Sequence, residues 1–244
     1  MIGRLLSFAY GLLAYVLFLM AFLYSVGFVG NFAVPKSIDS GPVLPLGNAL
    51  TIDAALLALF AIQHSVMARR GFKQWWTRIV PEPIERSTYV LISSLLLALL
   101  FWQWRPILAL VWEIESPLVR AVVQTMFWLG WLVVLLSTFM INHFDLFGLR
   151  QVYLHLVGRK AAAPAFVTPG LYRWVRHPIL LGFLIAFWAA PTMTAGRAIF
   201  AVATTAYMVA AIQLEERDLI ETFGDAYREY RKRVAMLIPR PKPK

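Results

Sequence analysis

A chain of 244 residues that is 60% hydrophobic and 15% charged, with a mean hydropathy of +0.67, is too apolar for a soluble domain and points to a multi-spanning membrane protein. It has no cysteine, which excludes disulfides, thiolate metal sites and a cysteine nucleophile. The net charge of +10 raises nucleic acid as a partner, but its distribution along the chain accounts for it as membrane topology.

The first apolar run continues to Phe28, too long for the core of a cleavable signal peptide, and reads as a first span near Leu5–Phe28. Further spans are expected near Leu46–Met67, Thr88–Val111 and Val119–Ile141, each long enough for a hydrocarbon core of about 30 Å. A last apolar pair lies near Pro178–Ala190 and Ala198–Leu214. Pro178 and Pro191 bracket the first of these too tightly for a full crossing, so the pair is expected to form a tilted or re-entrant hairpin.

Between the spans, the Gly- and Pro-rich segment 30–45 reads as a loop. Segment 68–87 interleaves Trp75 and Trp76 with Arg and Lys, a composition suited to the headgroup level. Near the C-terminus Ile220, Phe223, Tyr227, Tyr230, Val234 and Leu237 recur at three- and four-residue spacing among charges. That spacing predicts an amphipathic helix, which Gly224 and Asp225 break and re-cap. The PRPKPK tail is expected to be mobile. The expected fold class is therefore all-α: a polytopic membrane helix bundle with about six membrane segments, a short C-terminal helical hairpin and an amphipathic C-terminal helix.

Six crossings put nineteen of the chain's 23 Lys and Arg on the side of the two termini, and leave Lys36, Arg105, Arg120 and Arg197 on the other. The excess marks the cytoplasmic side. The expected setting is a bacterial inner membrane with both termini in the cytoplasm, a lipid bilayer as partner and no nucleic acid.

Several polar residues stand at the ends of these spans. His177 precedes a proline and is biased away from helical geometry, while Pro178 suits a first helical position. A helix starting at Pro178, with its free N–H groups beside Arg173 and Arg176, makes a plausible anion site. The plainer alternative is an interfacial helix start with snorkelling arginines. Glu215 and Glu216 are expected to end the last span, either as solvated interface residues or as ligands for ribose hydroxyls or an amino group. Asn142, His143 and Asp145 follow the fourth span, and a His143–Asp145 pair could take a proton from a small thiol. His143 could equally be an interface residue bonded to backbone. Within the second span, His64 and Asp53 are functional candidates whose plainer reading is a helix-to-helix hydrogen bond; His64 could also border the site, and Arg86 could pair with an acid.

RHPxxxG followed, after an apolar hairpin, by ExxxLxxxFGxxYxxYxxxVxxxIP resembles the cofactor-binding half of the isoprenylcysteine carboxyl methyltransferase superfamily. QHSVMAR, KQWWTRIVPEPIERSTYV, INHFDLFGLRQVYLHL and AFWAAPTMT are together similar to the methanethiol S-methyltransferases of the NnrU-like membrane family. The resemblance runs from about His64 to the C-terminus. It implies a single domain, with a four-helix membrane part over 1–141 and a cofactor-binding part over 142–244. It further implies transfer of a methyl group from S-adenosyl-L-methionine to methanethiol, giving dimethyl sulfide.

The cofactor residues implied are Arg173, Arg176, His177, Pro178, Leu181, Gly182, Glu215 and Glu216, with no metal; the catalytic candidates are His143, Asp145, Asn142 and His64. Leu180 stands where the superfamily often has Tyr. The small volatile thiol calls for a narrow apolar pocket, with Phe144, Phe147, Phe183 and Trp188 as candidate lining. Competing readings are another acceptor such as a prenylcysteine carboxylate, a haem-dependent isomerase with His64 and His143 as iron ligands, and a non-enzymatic membrane subunit or transporter.

Overall fold

The computed structural model describes residues 1–160 and 165–239, so the tail from Arg240 onward lies outside the described residues. The fold is helical, with one two-stranded sheet. Among the described residues, five helices are long and apolar enough to cross a membrane: α1 (Ile2–Gly30), α2 (Leu46–Ala68), α4 (Glu82–Gln103), α5 (Pro117–Met140) and α9 (Ala195–Phe223). Shorter helices are α3 (Arg70–Trp76), α6 (His143–Leu146), α7 (Leu149–Leu156), α8 (Pro178–Trp188) and α10 (Asp225–Arg233). At 1.5 Å per residue, α8 reaches about 16 Å, roughly half a hydrocarbon core. The polytopic bundle with a short hairpin is thus what forms.

Three boundaries differ from expectation, each for a local reason. The third span starts at Glu82 because Pro83 lies in the first turn and needs no N–H partner there; it stops at Gln103 because Arg105 precedes Pro106. Leu110 and Val111, expected as the end of that span, instead open strand β1 (Leu110–Glu113), antiparallel to β2 (Thr192–Thr194). The last span does not end at Leu214. Glu215, Glu216 and their neighbours continue α9 to Phe223, where Gly224 takes a φ of +57°. Gly224 breaks the helix as expected, but Asp225 makes no side-chain cap. It lies in the first turn of α10 and pairs with Arg228.

The described residues group into two compact units that interleave along the chain: Met1–Leu108 with His143–Ala163, and Ala109–Asn142 with Pro164–Lys244. In the first, α1 and α2 pack on α4, and α7 packs on α1. Gly11 accommodates Val152, since an added Cβ would meet its methyls at 2.5 Å. Met67, Tyr89 and Val90 form a core against Phe18, Phe72, Trp76 and Phe147. At one end Lys36 Nζ donates to the carbonyls of Trp102 and Trp104, and the Arg105 N–H donates to Asp53 Oδ1 at 2.8 Å. Asp53 is therefore a structural acceptor.

In the second unit, α8 lies on α5 through small residues. A Cβ on Gly182 would sit 2.7 Å from the Gly130 carbonyl, and one on Gly130 would sit 2.6 Å from Ala186 N. The sheet fixes the end of α8 and the start of α9 near the chain that leads into α5, and Ala195 N donates to Ala109 O at 2.7 Å. At the opposite end of α5, Tyr172 Oη reaches the Ser137 carbonyl and the Leu171 N–H reaches Met140 Sδ. The Arg-His-Pro turn belongs to that end.

Candidate functional site

The turn before α8 is held by the chain's last segment. The N–H groups of Arg176 and His177 donate to the carbonyls of Ala235 and Met236, and Val175 bridges Ala235 in parallel. Tyr230 Oη donates to the Tyr172 carbonyl at 2.5 Å. α8 begins at Pro178, with His177 as its extended first flank.

Glu216 is the hub of the charges gathered here. Its side chain is 4% exposed, accepts from Arg176 Nε at 2.7 Å and His177 Nε2 at 3.2 Å, and pairs with the Arg231 guanidinium, whose Nε lies 3.2 Å away. Arg176, itself 9% exposed, also donates Nη1 to the carbonyls of Arg231 and Val234. The two arginines of the expected anion site are engaged differently. Arg176 is committed to Glu216 and to the last segment, and Arg173 is exposed with its Nε on the Thr168 carbonyl. The free N–H groups of the α8 start remain as the anion-attracting element.

A single residue step along the helix separates the fates of the two glutamates. Residues 215 and 216 point about 100° apart on α9, so Glu216 is buried while Glu215 stays 53% exposed, with Oε2 3.5 Å from His177 Nδ1. Burial lowers the basicity of His177, but the bonds and charges of Glu215 and Glu216 outweigh it and hold the imidazole above its ordinary pKa. Leu181 and Gly182 follow in α8. Leu181 is half-buried, its N–H closing the first turn onto the His177 carbonyl, while Gly182 faces α5.

Tyr227, which the sequence reading missed as a site residue, is 2% exposed. Burial and Glu216 hold its phenol far above the ordinary range, so it is a neutral hydroxyl. Its Oη has no hydrogen-bond partner among the described residues. A buried hydroxyl without a partner, within electrostatic reach of Glu216 and Glu215, suits a polar ligand. The FGxxYxxY spacing was the available signal.

The other polar candidates belong to the first unit, apart from Asn142, which closes α5 in a left-handed conformation at φ 87°. His143 is 4% exposed, and its Nε2 lies 2.8 Å from Tyr15 Oη. Phe144 and Phe147 stand edge-on to the imidazole at 5.5 and 4.8 Å, and Phe18 stacks on Phe147 at 3.8 Å. Burial lowers the pKa of His143, so the ring is neutral near pH 7. Asp145 takes a 2.7 Å bond from Arg150 Nη1. His64 ties α2 to α4 through Tyr89 Oη, 2.9 Å from Nε2, with Phe60 stacked on the ring. Arg86, expected to pair with an acid, donates Nε to the Leu146 carbonyl and lies 5.0 Å over the Tyr89 ring. In the second unit Phe183 packs edge-on against Trp131, and Trp188 Nε1 donates to Thr205 Oγ1.

Comparison with known proteins adds to this geometry. The sequence model of the NnrU protein family matches residues 54–221. The methanethiol S-methyltransferase of Mycobacterium tuberculosis is 54% identical over 98% of both chains. Methanethiol S-methyltransferase 1 of Bradyrhizobium diazoefficiens is 56% identical over 98% of this chain and 84% of its own. Nurim of Mus musculus is 31% identical over 70% of this chain and 68% of its own. No solved structure matches the chain.

Proposed function

Since the chain belongs to the NnrU family, we propose that it methylates methanethiol to dimethyl sulfide with S-adenosylmethionine as methyl donor, at a multi-pass membrane site. The observation that carries this reading is the near-full-length similarity to proteins named methanethiol S-methyltransferases. We place the enzyme in a bacterial inner membrane with both termini in the cytoplasm, on the Lys and Arg asymmetry.

S-adenosylmethionine, when bound, supplies a methyl group made electrophilic by a positive sulfur. Glu215 is the acid left exposed to meet the cofactor's amino group or ribose hydroxyls, because Glu216 is already engaged by Arg176, His177 and Arg231. Tyr227 offers a neutral hydroxyl, and the first N–H groups of α8 attract a carboxylate. Arg176 and the 234–237 segment hold the turn that carries these groups.

The acceptor must lose one proton before its sulfur attacks. The neutral imidazole of His143 is the base for it, in an apolar surround of Phe18, Phe144 and Phe147. A thiolate meeting a sulfonium gives neutral products, so exclusion of bulk water favours the step once protein dipoles fix the partners. Methanethiol and dimethyl sulfide are small and apolar, so both can pass through the bilayer.

The test is calorimetric titration of detergent-purified protein with S-adenosylmethionine and S-adenosylhomocysteine, followed by headspace detection of dimethyl sulfide from added methanethiol. Binding together with product supports the reading. Folded protein that binds neither compound sinks it.

A further inference from the structure

The base needs support that the sequence pattern did not reveal. Tyr15, in the middle of α1, brings its hydroxyl within 2.8 Å of His143 Nε2, with the two rings edge-on at 5.7 Å and 85°. We propose that Tyr15 is a positioning residue for His143, its hydroxyl serving Nε2 in both protonation states of the imidazole during deprotonation of the thiol. This rests on the reading of His143 as the base.

Packing does not account for a tyrosine here. The Tyr15 ring lies 6.1 Å from Phe18 and 6.2 Å from Phe144, contacts a phenylalanine would make equally well. A hydroxyl on a half-buried face of a membrane helix carries a desolvation cost unless it is bonded, and its bond is to Nε2. The proton transfer explains the need for it. The S–H bond breaks and its electron pair stays on sulfur to form the new carbon–sulfur bond, as the donor's methyl–sulfonium bond breaks with its pair staying on the leaving sulfide; the proton goes to the imidazole Nδ1.

An imidazolium is a donor at both nitrogens, so the contact must then run from Nε2–H to Tyr15 Oη. The neutral tautomer that can act as base already carries its proton on Nε2, donated to Tyr15 Oη, and keeps its lone pair on Nδ1 for the thiol proton. The hydroxyl therefore accommodates both states without moving the ring. It also supplies the acceptor that a charge forming in an apolar surround requires. Around it, Tyr15 faces the ring from α1; Asp145 of its own helix pairs with Arg150 of α7; from α4, Arg86 bonds the Leu146 carbonyl and Tyr89 bonds His64.

The experiment follows methyl transfer by the purified full chain between about pH 5 and 9, for the parent, Tyr15→Phe, Phe18→Leu and His143→Ala. The parent rate falls toward acid as His143 becomes protonated. Tyr15→Phe keeps the ring and loses the acceptor, so kcat is expected to fall about tenfold, with the acid limb moved to lower pH and KM for S-adenosylmethionine unchanged. Phe18→Leu disturbs the same packing but removes no hydrogen bond to the imidazole, so it shows how far a packing change alone moves the limb.

Parent kcat and parent limb in Tyr15→Phe, or equal shifts in Tyr15→Phe and Phe18→Leu, overturn the proposal. A His143→Ala enzyme with the parent profile overturns it too, together with the base reading. A parent chain that binds no S-adenosylmethionine removes the transferase reading itself, and calorimetry shows that result separately.

Discussion

Arg176 Nε and Glu216 Oε1 lie 2.7 Å apart with both side chains at least nine-tenths buried, and the pair joins the turn before α8 to the C-terminal part of α9. Removing one member of such a pair leaves an uncompensated buried charge, which costs about 3–5 kcal/mol. Glu216→Ala should therefore lower the thermal midpoint markedly and loosen the 234–237 segment, read as faster proteolysis after α10. A variant with the parent midpoint would show that the cluster contributes nothing to stability.

Glu215 should respond in the opposite way. Its side chain is 53% exposed and bears on the cluster through His177 at 3.5 Å. Glu215→Gln is expected to weaken S-adenosylmethionine binding tenfold or more, as loss of a charged hydrogen bond does, with a midpoint within about 1 kcal/mol of the parent. Calorimetry on the two glutamate variants side by side separates the roles. Equal losses of affinity and stability in both would contradict the division.

The pH dependence of stability follows from His177. Burial lowers its basicity, Glu215 and Glu216 raise it by more, and the folded pKa lies above the unfolded value of about 6.5. A raised folded pKa gives stability that is complete below about pH 6.5 and is lost as pH rises through the folded value. Thermal midpoints in detergent should thus decline from about pH 6.5 upward. His177→Gln should flatten that decline, and an unchanged slope in the variant would assign it to another group.

Gly130 tests whether the α5–α8 packing sets the site. A methyl there meets Ala186 N at 2.6 Å and the Gly182 carbonyl at 2.7 Å, backbone atoms that cannot rotate away. Gly130→Ala must push α8 off α5, at about 1–3 kcal/mol, and shift the turn that α8 begins. Lower stability and weaker cofactor binding are expected together, although the substitution touches no charged group. Parent values for both would mean that the helices separate without moving His177.

The sequence alone determined what depends on neighbours along the chain. Hydropathy placed the membrane helices, Pro178 marked the start of α8, and Gly224 the end of α9, because burial in lipid, a missing N–H and a positive φ act locally. The resemblance named the chemistry, and the motif drew attention to the Arg-His-Pro turn.

Tertiary structure alone decided which of them are spent and which are free. It joined Arg176 to a glutamate 40 residues away, turned Glu215 outward and Glu216 inward, left Tyr227 Oη without a partner, and set Tyr15 against a histidine 128 residues later. It also paired β1 with β2 where hydropathy extended a helix, and grouped His143–Ala163 with the first four helices, across a sequence division at residue 141. Periodicity shows which face of a helix is apolar, but the partner of a polar side chain is chosen by desolvation and packing between distant segments.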